Sequence, residues 1–280
     1  AGGAHGCGED EMMRPRRGGI WLSFYAVLYL AFLYLPVLFL PLFSFNDSAF
    51  IAFPLVGFTT KWYAQMLADS AMHQALWNRL KVGFAVALIS TALGLLAAKA
   101  LTRYRLPGGA AVLGFTSLPL FIPDIVLGIS ILILLNAVGM PLSLMSVVLG
   151  HVLICAPFAI TVLMSRFDGF DRSLEEASLD LGENAWTTFW RITFPLVLPG
   201  IISSLLLTFI VSFDEFLIAY FLAGTDATLP IYIWGQLRFP YKLPVVLALG
   251  AVILIVSCVL VVIAEWVRGL GVDGKRPVGA

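Results

Sequence analysis

Residues 173–195 read SLEEASLDLGENAWTTFWRITFP, a polar segment that stands between two long apolar runs. The runs on either side, 144–165 and 196–213, contain no charged residue. A helix needs about 20 predominantly apolar residues to cross the hydrocarbon core of a bilayer. Both runs therefore predict transmembrane helices, and the polar segment is predicted to lie in the loop that joins them.

The composition of the whole chain indicates a membrane protein. Of its 280 residues, 60% are hydrophobic and 12% are charged, whereas a soluble globular domain carries about 25% charged residues. The formal net charge is zero, so nothing in the charge balance indicates nucleic acid as a partner. We therefore predict an all-α integral membrane protein in contact with membrane lipids.

Charged residues and turn signals divide the apolar sequence into about six predicted transmembrane helices. The stretch from 106 to 165 carries one charge, Asp124, and is too long for a single crossing, so the turn signal at 139–141 divides it into two spans. The predicted spans lie near residues 20–45, 82–102, 107–137, 144–166, 195–222 and 243–266. They belong to one predicted transmembrane domain, 20–268, with the polar loop at 167–194.

The two ends of the chain are predicted to lie outside the membrane. Residues 1–19 form a basic segment that we expect to be flexible, and 269–280 form a tail. Either Met12 or Met13, just before the basic cluster, could be the natural start. The apolar run from Ile20 is too long for a signal-peptide core and lacks a small-residue cleavage site after it, so it predicts a retained helix.

Basic residues are distributed unequally between the predicted loops. With both termini in the cytoplasm, 12 of the 17 Lys and Arg residues lie on the cytoplasmic side and 5 on the outer side. The cytoplasmic set is Arg14, Arg16, Arg17, Lys99, Arg103, Arg105, Arg166, Arg172, Arg191, Arg268, Lys275 and Arg276. The outer set is Lys61, Arg79, Lys81, Arg238 and Lys242. Because short cytoplasmic loops carry an excess of Lys and Arg, this count predicts an N-in, C-in orientation.

The polar loop is predicted to contain two short helices. Ser173 and Glu176 have the spacing of a capping box, in which the Ser side chain caps the helix and the Glu reaches back to it. Gly182 then permits a sharp change of direction. Residues 185–191 predict a second short helix, and Pro195 marks the re-entry into the membrane. Many cytoplasmic loops contain an amphipathic helix, so a short helix alone does not indicate a function, whereas a fixed spacing of particular residues does.

That spacing resembles the signature loop of ABC-importer permeases, which is written EAA-x3-G-x9-I-x-L-P. This chain has Glu176-Ala177-Ser178, three residues, Gly182, nine residues, and then Ile192-Thr193-Phe194-Pro195. It departs from the pattern at Ser178 and Phe194. Ser is nearly as small as Ala, and Phe keeps an apolar residue, so both departures preserve the character of the position.

The resemblance implies a type I ABC-importer permease fold with a cytoplasmic coupling helix. In that family the loop docks into a groove on a separate ATPase subunit, with Glu176 as the charged contact and Gly182 as the turn. The implied coupling residues are Glu176, Ala177, Ser178, Gly182, Ile192 and Pro195. The implied partners are two copies of the ATP-binding subunit, a second and non-identical permease subunit, and a periplasmic or lipid-anchored substrate-binding protein. The implied location is the cell inner membrane.

The chain is not predicted to be an enzyme. It has no G-x-x-x-x-G-K-[ST] loop to cradle phosphates, in agreement with ATP and Mg being bound by the partner ATPase. The His and Cys residues lack the spacing of metal ligands, so neither a metal site nor a catalytic residue is predicted. Cys155 and Cys258 are predicted to be small buried side chains. His151 is predicted to be buried and hydrogen-bonded, with a role in a transport pathway as the alternative.

Three carboxylates lie at predicted membrane depth, namely Asp124, Asp214 and Glu215. An ionisable residue near the centre of a membrane helix costs roughly 2.5–3.5 kcal/mol on insertion scales, and such residues usually face a cavity. Prolines interrupt the third span, so Asp124 is predicted to cap a second helical segment. All three are candidate substrate-pathway residues, and Asp214 is the strongest. The alternative is that they lie in the outer interface or pair with Arg238 or Lys242.

Much of the chain after Ile20 resembles the spermidine/putrescine permease subgroup. The resemblance rests on residues 34–36, 44–46, 60–63, 119–128, 212–216 and 228–230. It implies a pathway for polyamines, which is consistent with acidic lining residues and with the absence of a basic residue in predicted spans two to six between the charges that flank each span. Permeases for opines, other amines or ferric iron share several of these motifs and are alternatives. A secondary transporter or a channel is a further alternative, but neither has a use for the coupling loop.

Overall fold

The computed structural model of the chain describes residues 17–104 and 107–272. Within these ranges the chain is helical, and the sole β-type pairing is an isolated bridge between Asn46 and Phe58. The helices are α1 Arg17–Ser44, α2 Lys61–Ala68, α3 Ser70–Arg103, α4 Gly109–Ser117, α5 Asp124–Ala137, α6 Leu144–Asp168, α7 Ser173–Asp180, α8 Ala185–Thr188, α9 Phe194–Asp214, α10 Leu217–Leu222, α11 Leu229–Gln236 and α12 Leu243–Val272.

Five helical segments in the described ranges are long and apolar enough to cross a membrane, and a bent pair of helices adds a sixth candidate. The bent pair joins Gly109–Phe121 to Asp124–Ala137 at 104°. The five others are Trp21–Ser44, Ser70–Arg103, Leu144–Asp168, Ala185–Asp214 and Pro240–Val259. The predicted all-α membrane fold with about six spans is therefore confirmed, while the N-in, C-in orientation stays a prediction.

The chain divides into two compact units, residues 1–68 with 239–280 and residues 69–238. Residues 1–16 of the predicted N-terminal segment and 273–280 of the predicted tail lie outside the described residues. The same is true of five residues used in the count of basic charges, namely Arg14, Arg16, Arg105, Lys275 and Arg276.

The unit formed by residues 1–68 and 239–280 is built on α12, against which α1 and α2 both pack. The segment between α1 and α2 is held by polar contacts. The Trp62 indole N–H donates to the Asn46 carbonyl oxygen at 2.8 Å, and the Ser44 and Tyr63 hydroxyls lie 2.6 Å apart. These bonds satisfy polar groups where α1 ends, as a chain that leaves the membrane requires.

The unit formed by residues 69–238 is built on α3, α6 and α9, which pack against one another. Small residues let the helices approach closely: a β-carbon on Gly94 would lie 2.7 Å from the β-carbon of Ala159. The Thr91 and Ser204 hydroxyls lie 3.0 Å apart and link α3 to α9. Small side chains and hydroxyl pairs of this kind are what holds membrane helices together, because lipid offers no hydrophobic drive between them.

Helix α3 begins at Ser70, well before the predicted start of the second span. The Asp69 carboxylate accepts hydrogen bonds from the backbone N–H groups of Ala71 at 2.9 Å and Met72 at 3.1 Å, and so satisfies two donors at the helix N-terminus. The early start brings Arg79, predicted to lie in an outer loop, into the helix, where its side chain is fully buried. The helix of the second candidate span therefore contains a buried basic residue, contrary to the prediction.

Candidate functional site

Helix α7 carries the first half of the predicted signature. Its N-cap is Arg172, whose side chain makes no capping hydrogen bond. The Asp171 carboxylate accepts the Ser173 backbone N–H at 2.9 Å, and hydrogen bonds from the backbone and side chain of Ser173 lower the pKa of Asp171 below its usual range. The predicted capping box of Ser173 and Glu176 is wrong, because a carboxylate earlier in the chain already satisfies this N–H group.

The signature residues of α7 point in different directions. Glu176 is exposed and forms an ion pair with Arg172, in which Nε and Oε1 lie 2.9 Å apart, and Ala177 is exposed as well. Ser178 is buried, and its hydroxyl lies 2.9 Å from that of Thr188 in α8. Glu176 and Ala177 are thus accessible to a partner, whereas Ser178 joins the two short helices of the loop.

Gly182 lies between α7 and α8 with a φ of +91°. A β-carbon there would meet no atom within 4 Å, so packing does not require glycine. The left-handed backbone does, because a positive φ is costly for other residues. Next to this turn, Leu181 is 87% exposed and Trp186 is 71% exposed. We call the exposed side chains of Glu176, Leu181 and Trp186 the coupling surface.

The second predicted short helix is α8, which continues through a widened turn at Phe189–Thr193 directly into α9. Asn184 caps α8 by accepting the Thr187 backbone N–H at 2.8 Å. Ile192 is half-buried in the widened turn, and Pro195 lies in the first turn of α9, where its missing N–H forfeits no helical hydrogen bond. The loop is thus continuous with a membrane helix on its C-terminal side.

Asp214 and Glu215 lie where the fifth predicted span is interrupted. Asp214 is the last residue of α9 and is exposed, and α10 begins at Leu217. The half-buried Glu215 caps α10, since its Oε1 accepts the Ile218 backbone N–H at 3.0 Å. The predicted continuous span 195–222 is therefore broken. Breaks of this kind at membrane depth occur where the backbone is buried in protein or lines a cavity.

Asp124 lies at the second helix break, as the first residue of α5 after the 104° bend. Its side chain is exposed and makes no capping hydrogen bond, because the N-cap position belongs to Pro123. The predicted break is present, whereas the predicted capping by the Asp124 side chain is not. Among the described residues none of the three carboxylates forms an ion pair with Arg238.

Residues 90–269 match the sequence model of a family described as the binding-protein-dependent transport system inner membrane component. The chain belongs to this family. It is 33% identical over 265 residues to the spermidine/putrescine transport system permease protein PotC of Shigella flexneri. The matched region covers 92% of this chain and 98% of that protein. It is 35% identical over 242 residues to the putrescine transport system permease protein PotI of Escherichia coli K12, with 84% of this chain and 85% of the relative covered.

Solved structures of ABC importers share the fold of this permease. A bacterial ABC transporter for the acidic polysaccharide alginate contains a chain that matches with a TM-score of 0.72 at 17% identity, over 92% of this permease and 99% of that chain. The MetNI methionine ABC transporter matches with a TM-score of 0.55 at 19% identity, over 75% of this permease and 99% of that chain. The predicted type I importer permease fold is confirmed by these similarities.

Glu175 is a candidate site residue of the permease that sequence reasoning missed. Its Oε2 lies 2.7 Å from Nε of Arg103 at the end of α3, and its Oε1 accepts the Thr193 hydroxyl at 2.5 Å. Both charged side chains border a cavity of about 180 Å³ beside α7 and α8. A charged residue in a polar loop is normally expected to be exposed. No local sequence pattern indicates an ion pair with Arg103, which lies 72 positions earlier in the chain (175 − 103).

Arg79 is the second missed residue of the permease. Its Nη1 donates to the Glu215 carbonyl oxygen at 2.8 Å, within the break between α9 and α10, and its guanidinium lies 5.3 Å from the centre of the Phe213 ring. Its Nε and Nη2 have no hydrogen-bond partner among the described residues, although its charge interacts with the carboxylates of Asp214 and Glu215. Arg79 thus contacts the chain on both sides of Asp214, and it satisfies a carbonyl that the break releases from helical pairing.

The predictions for His151 and the two cysteines were partly confirmed. His151 is fully buried, and its Nδ1 lies 2.9 Å from the Ser212 hydroxyl on α9, so the predicted buried, hydrogen-bonded histidine is confirmed. Cys155 is buried as predicted. Cys258 is exposed, and that prediction is wrong, because an apolar run indicates a side chain facing lipid as readily as one facing protein.

Proposed function

We propose that this chain is the permease subunit of an ATP-driven importer of polyamines, and that it forms part of the pathway for putrescine or spermidine. The observation that carries the proposal is the similarity to the permeases PotC and PotI over nearly their whole length. The exposed carboxylate of Asp214 at a helix break supports it.

The positive charge of a polyamine supports this substrate class. A polyamine carries two or more ammonium groups, which bind carboxylates through strong charge-assisted hydrogen bonds. In the unit 69–238 the buried Arg79 donates to a backbone carbonyl, and its charge also acts on Asp214 and Glu215. Asp214 nevertheless forms no ion pair with any described residue. Asp214 is therefore available to a cation, with Glu215 and Asp124 as further candidates.

The coupling surface is proposed to dock on an ATPase subunit, two copies of which bind ATP and Mg for the whole assembly. Its composition supports this role, because one exposed carboxylate accompanies the large exposed side chains of Leu181 and Trp186. Exposed apolar residues grouped with polar ones are typical of protein interfaces. Gly182 sets the turn between them, and Ala177 keeps the adjoining surface small.

The proposed assembly contains further subunits. A second, non-identical permease completes the pathway, and a periplasmic or lipid-anchored binding protein delivers the substrate at the outer face. The count of basic residues supports an N-in, C-in orientation in the cell inner membrane, and in that orientation α7 would lie on the same side as the ATPase.

The experiment that tests the proposed function is uptake of labelled putrescine and spermidine by cells that lack their own polyamine importers and express the complete transporter. We expect saturable uptake of at least one polyamine, and competition by the other. Ferric citrate and opines are added as competitors in parallel. If neither polyamine accumulates, or if a competitor of another class displaces them at lower concentration, the assigned substrate class is wrong.

A further inference from the structure

Glu175 lies at the centre of a contact that joins several membrane helices. It belongs to α7, its Oε2 lies 2.7 Å from Nε of Arg103 at the end of α3, and its Oε1 accepts the Thr193 hydroxyl at 2.5 Å, one residue before α9. Arg103 Nη2 also donates to the Phe167 carbonyl oxygen in the last turn of α6 at 3.0 Å. The carboxylate therefore connects α7 directly to the end of α3 and the start of α9, and through Arg103 to the end of α6.

The contact is largely shielded from water, although both side chains border the cavity beside α7 and α8. The Arg103 and Glu175 side chains are 11% and 12% exposed, and the Arg103 guanidinium lies 4.4 Å from the centre of the Phe170 ring. Removing one partner of such a pair leaves an uncompensated charge in a poorly solvated place, which proteins tolerate badly. The pair therefore resists separation, and it fixes where α7 lies relative to the end of α3.

Glu176, the adjacent residue, is in a different situation. Its ion pair with Arg172 lies within the same loop, and the two side chains are 59% and 58% exposed. Exposed pairs of this kind contribute little to stability. Successive residues of a helix point about 100° apart, so Glu176 is presented to a partner while Glu175 is directed into the subunit.

The covalent route from α7 to α9 is less direct. It passes through Gly182, which has a positive φ and no neighbour that would contact a side chain there. The second polar link of α7, from Ser178 to Thr188, ends on the short helix α8. Glu175 bypasses this turn, because it reaches Thr193 at the start of the α9 segment directly.

We propose that Glu175 is a positioning residue that transmits displacement of α7 to α3 and α9. The inference rests on the proposed function, since it takes α7 to be the helix that an ATPase subunit moves. When α7 moves, the carboxylate carries Arg103 and Thr193 with it. Helix α9 ends at Asp214, so the movement reaches the helix break that bears the candidate pathway carboxylate.

The first test needs no transported substrate. Hydrogen exchange is measured on the assembled transporter with and without ATP and vanadate, in the wild type and in Glu175→Gln. In the wild type we expect trapping to change exchange in α7, at residues 98–104 and at 193–197 together. In the variant the change stays within α7. Equal changes at all three places in the variant overturn the proposal.

The second test measures polyamine uptake per ATP hydrolysed in proteoliposomes. We expect Glu175→Gln to lower this ratio about fivefold or more, the lower end of ordinary allosteric coupling, with unchanged affinity for the ATPase subunit. The matched control is Glu183→Gln in the same loop, whose partner Arg191 lies 2.9 Å away in an exposed pair, and it should leave the ratio unchanged. A normal ratio in Glu175→Gln, or a loss of ATPase binding in that variant, contradicts the proposal.

A third variant separates transmission from stability. Arg103→Met combined with Glu175→Met removes both charges, and an apolar pair of this kind often restores the stability that a single change loses. We expect the melting temperature to recover while uptake per ATP stays low. Recovery of both would mean that the pair serves stability alone. If the wild type carries no polyamine, the proposed substrate fails, and the hydrogen-exchange test still decides the role of Glu175.

Discussion

Glu175 and Glu176 are adjacent in α7, yet one is buried against Arg103 and the other is exposed beside Arg172. The residue type is the same, and the surroundings decide the role. A carboxylate in a shielded ion pair holds helices together, whereas an exposed one is available for a partner subunit. The spacing of the signature loop predicts a role for Glu176, but it could not predict the contact of Glu175, because the position of Arg103 depends on how α3 packs.

Asp214→Asn is the substitution that tests the pathway at the scale of one residue. It removes the charge at the end of α9 and keeps the size of the side chain. A hydrogen bond to a charged group contributes about 1.5–3 kcal/mol, so we expect the KM for putrescine uptake to rise roughly tenfold or more. The measurement is initial uptake rate against putrescine concentration.

The matched control for that substitution is Asp226→Asn. Asp226 is also exposed and follows α10 in the same unit, but it lies outside both helix breaks. The KM of the Asp226→Asn variant for putrescine uptake should stay close to that of the wild type. A KM in Asp214→Asn that equals the control would exclude Asp214 as a ligand of the cationic substrate.

At the scale of elements, close contacts between helices and breaks within them determine the arrangement of the unit 69–238. Helices α3 and α6 meet at Gly94 and Ala159, and α9 breaks after Asp214. The sequence predicted the apolar runs and the turn at Gly182 because hydrophobic length and glycine chemistry are local properties. It did not predict the early start of α3, which depends on the cap at Asp69. It also did not predict the break at Glu215, which is stabilised by Arg79 of α3, a residue far away in the sequence.

Gly94→Ala tests the close approach of α3 and α6. The new methyl group would lie 2.7 Å from the Ala159 β-carbon and 2.9 Å from its backbone carbonyl carbon, so the helices must separate. Overpacking of this kind costs typically 1–3 kcal/mol. We expect a lower melting temperature for the purified protein in detergent. The same change at Gly114, where a β-carbon meets no atom within 4 Å, should not lower it, and equal melting temperatures for the two variants would refute the packing.

Gly182→Ala tests the turn between α7 and α8. A left-handed conformation costs a non-glycine residue roughly 1–2 kcal/mol, and the open surroundings of Gly182 offer no compensating contact. We expect faster hydrogen exchange in residues 173–188 and weaker binding of the ATPase subunit. Gly235→Ala in α11, where a β-carbon also meets open space, is the control and should change neither quantity. Unaltered exchange in Gly182→Ala would mean that the turn does not hold the loop.

At the scale of the whole molecule, the composition and the signature spacing were sufficient to predict a membrane fold with about six spans and membership of the permease family. Family membership is confirmed by the match over residues 90–269. The orientation and the substrate cannot be predicted from one chain in the same way, since they depend on the membrane and on partner subunits. Apolar length alone also does not separate lipid-facing from protein-facing residues, as the exposed Cys258 shows.

We expect this permease to move its substrate only when an ATPase drives it. The most direct measurement is putrescine accumulation by proteoliposomes that contain the complete transporter, with ATP or ADP on the side of the ATPase and loaded binding protein on the other. We expect accumulation against a gradient with ATP, none with ADP, and none with ATP in Glu176→Ala. Equal uptake with ATP and ADP would contradict the dependence on an ATPase and would indicate a channel or a secondary transporter.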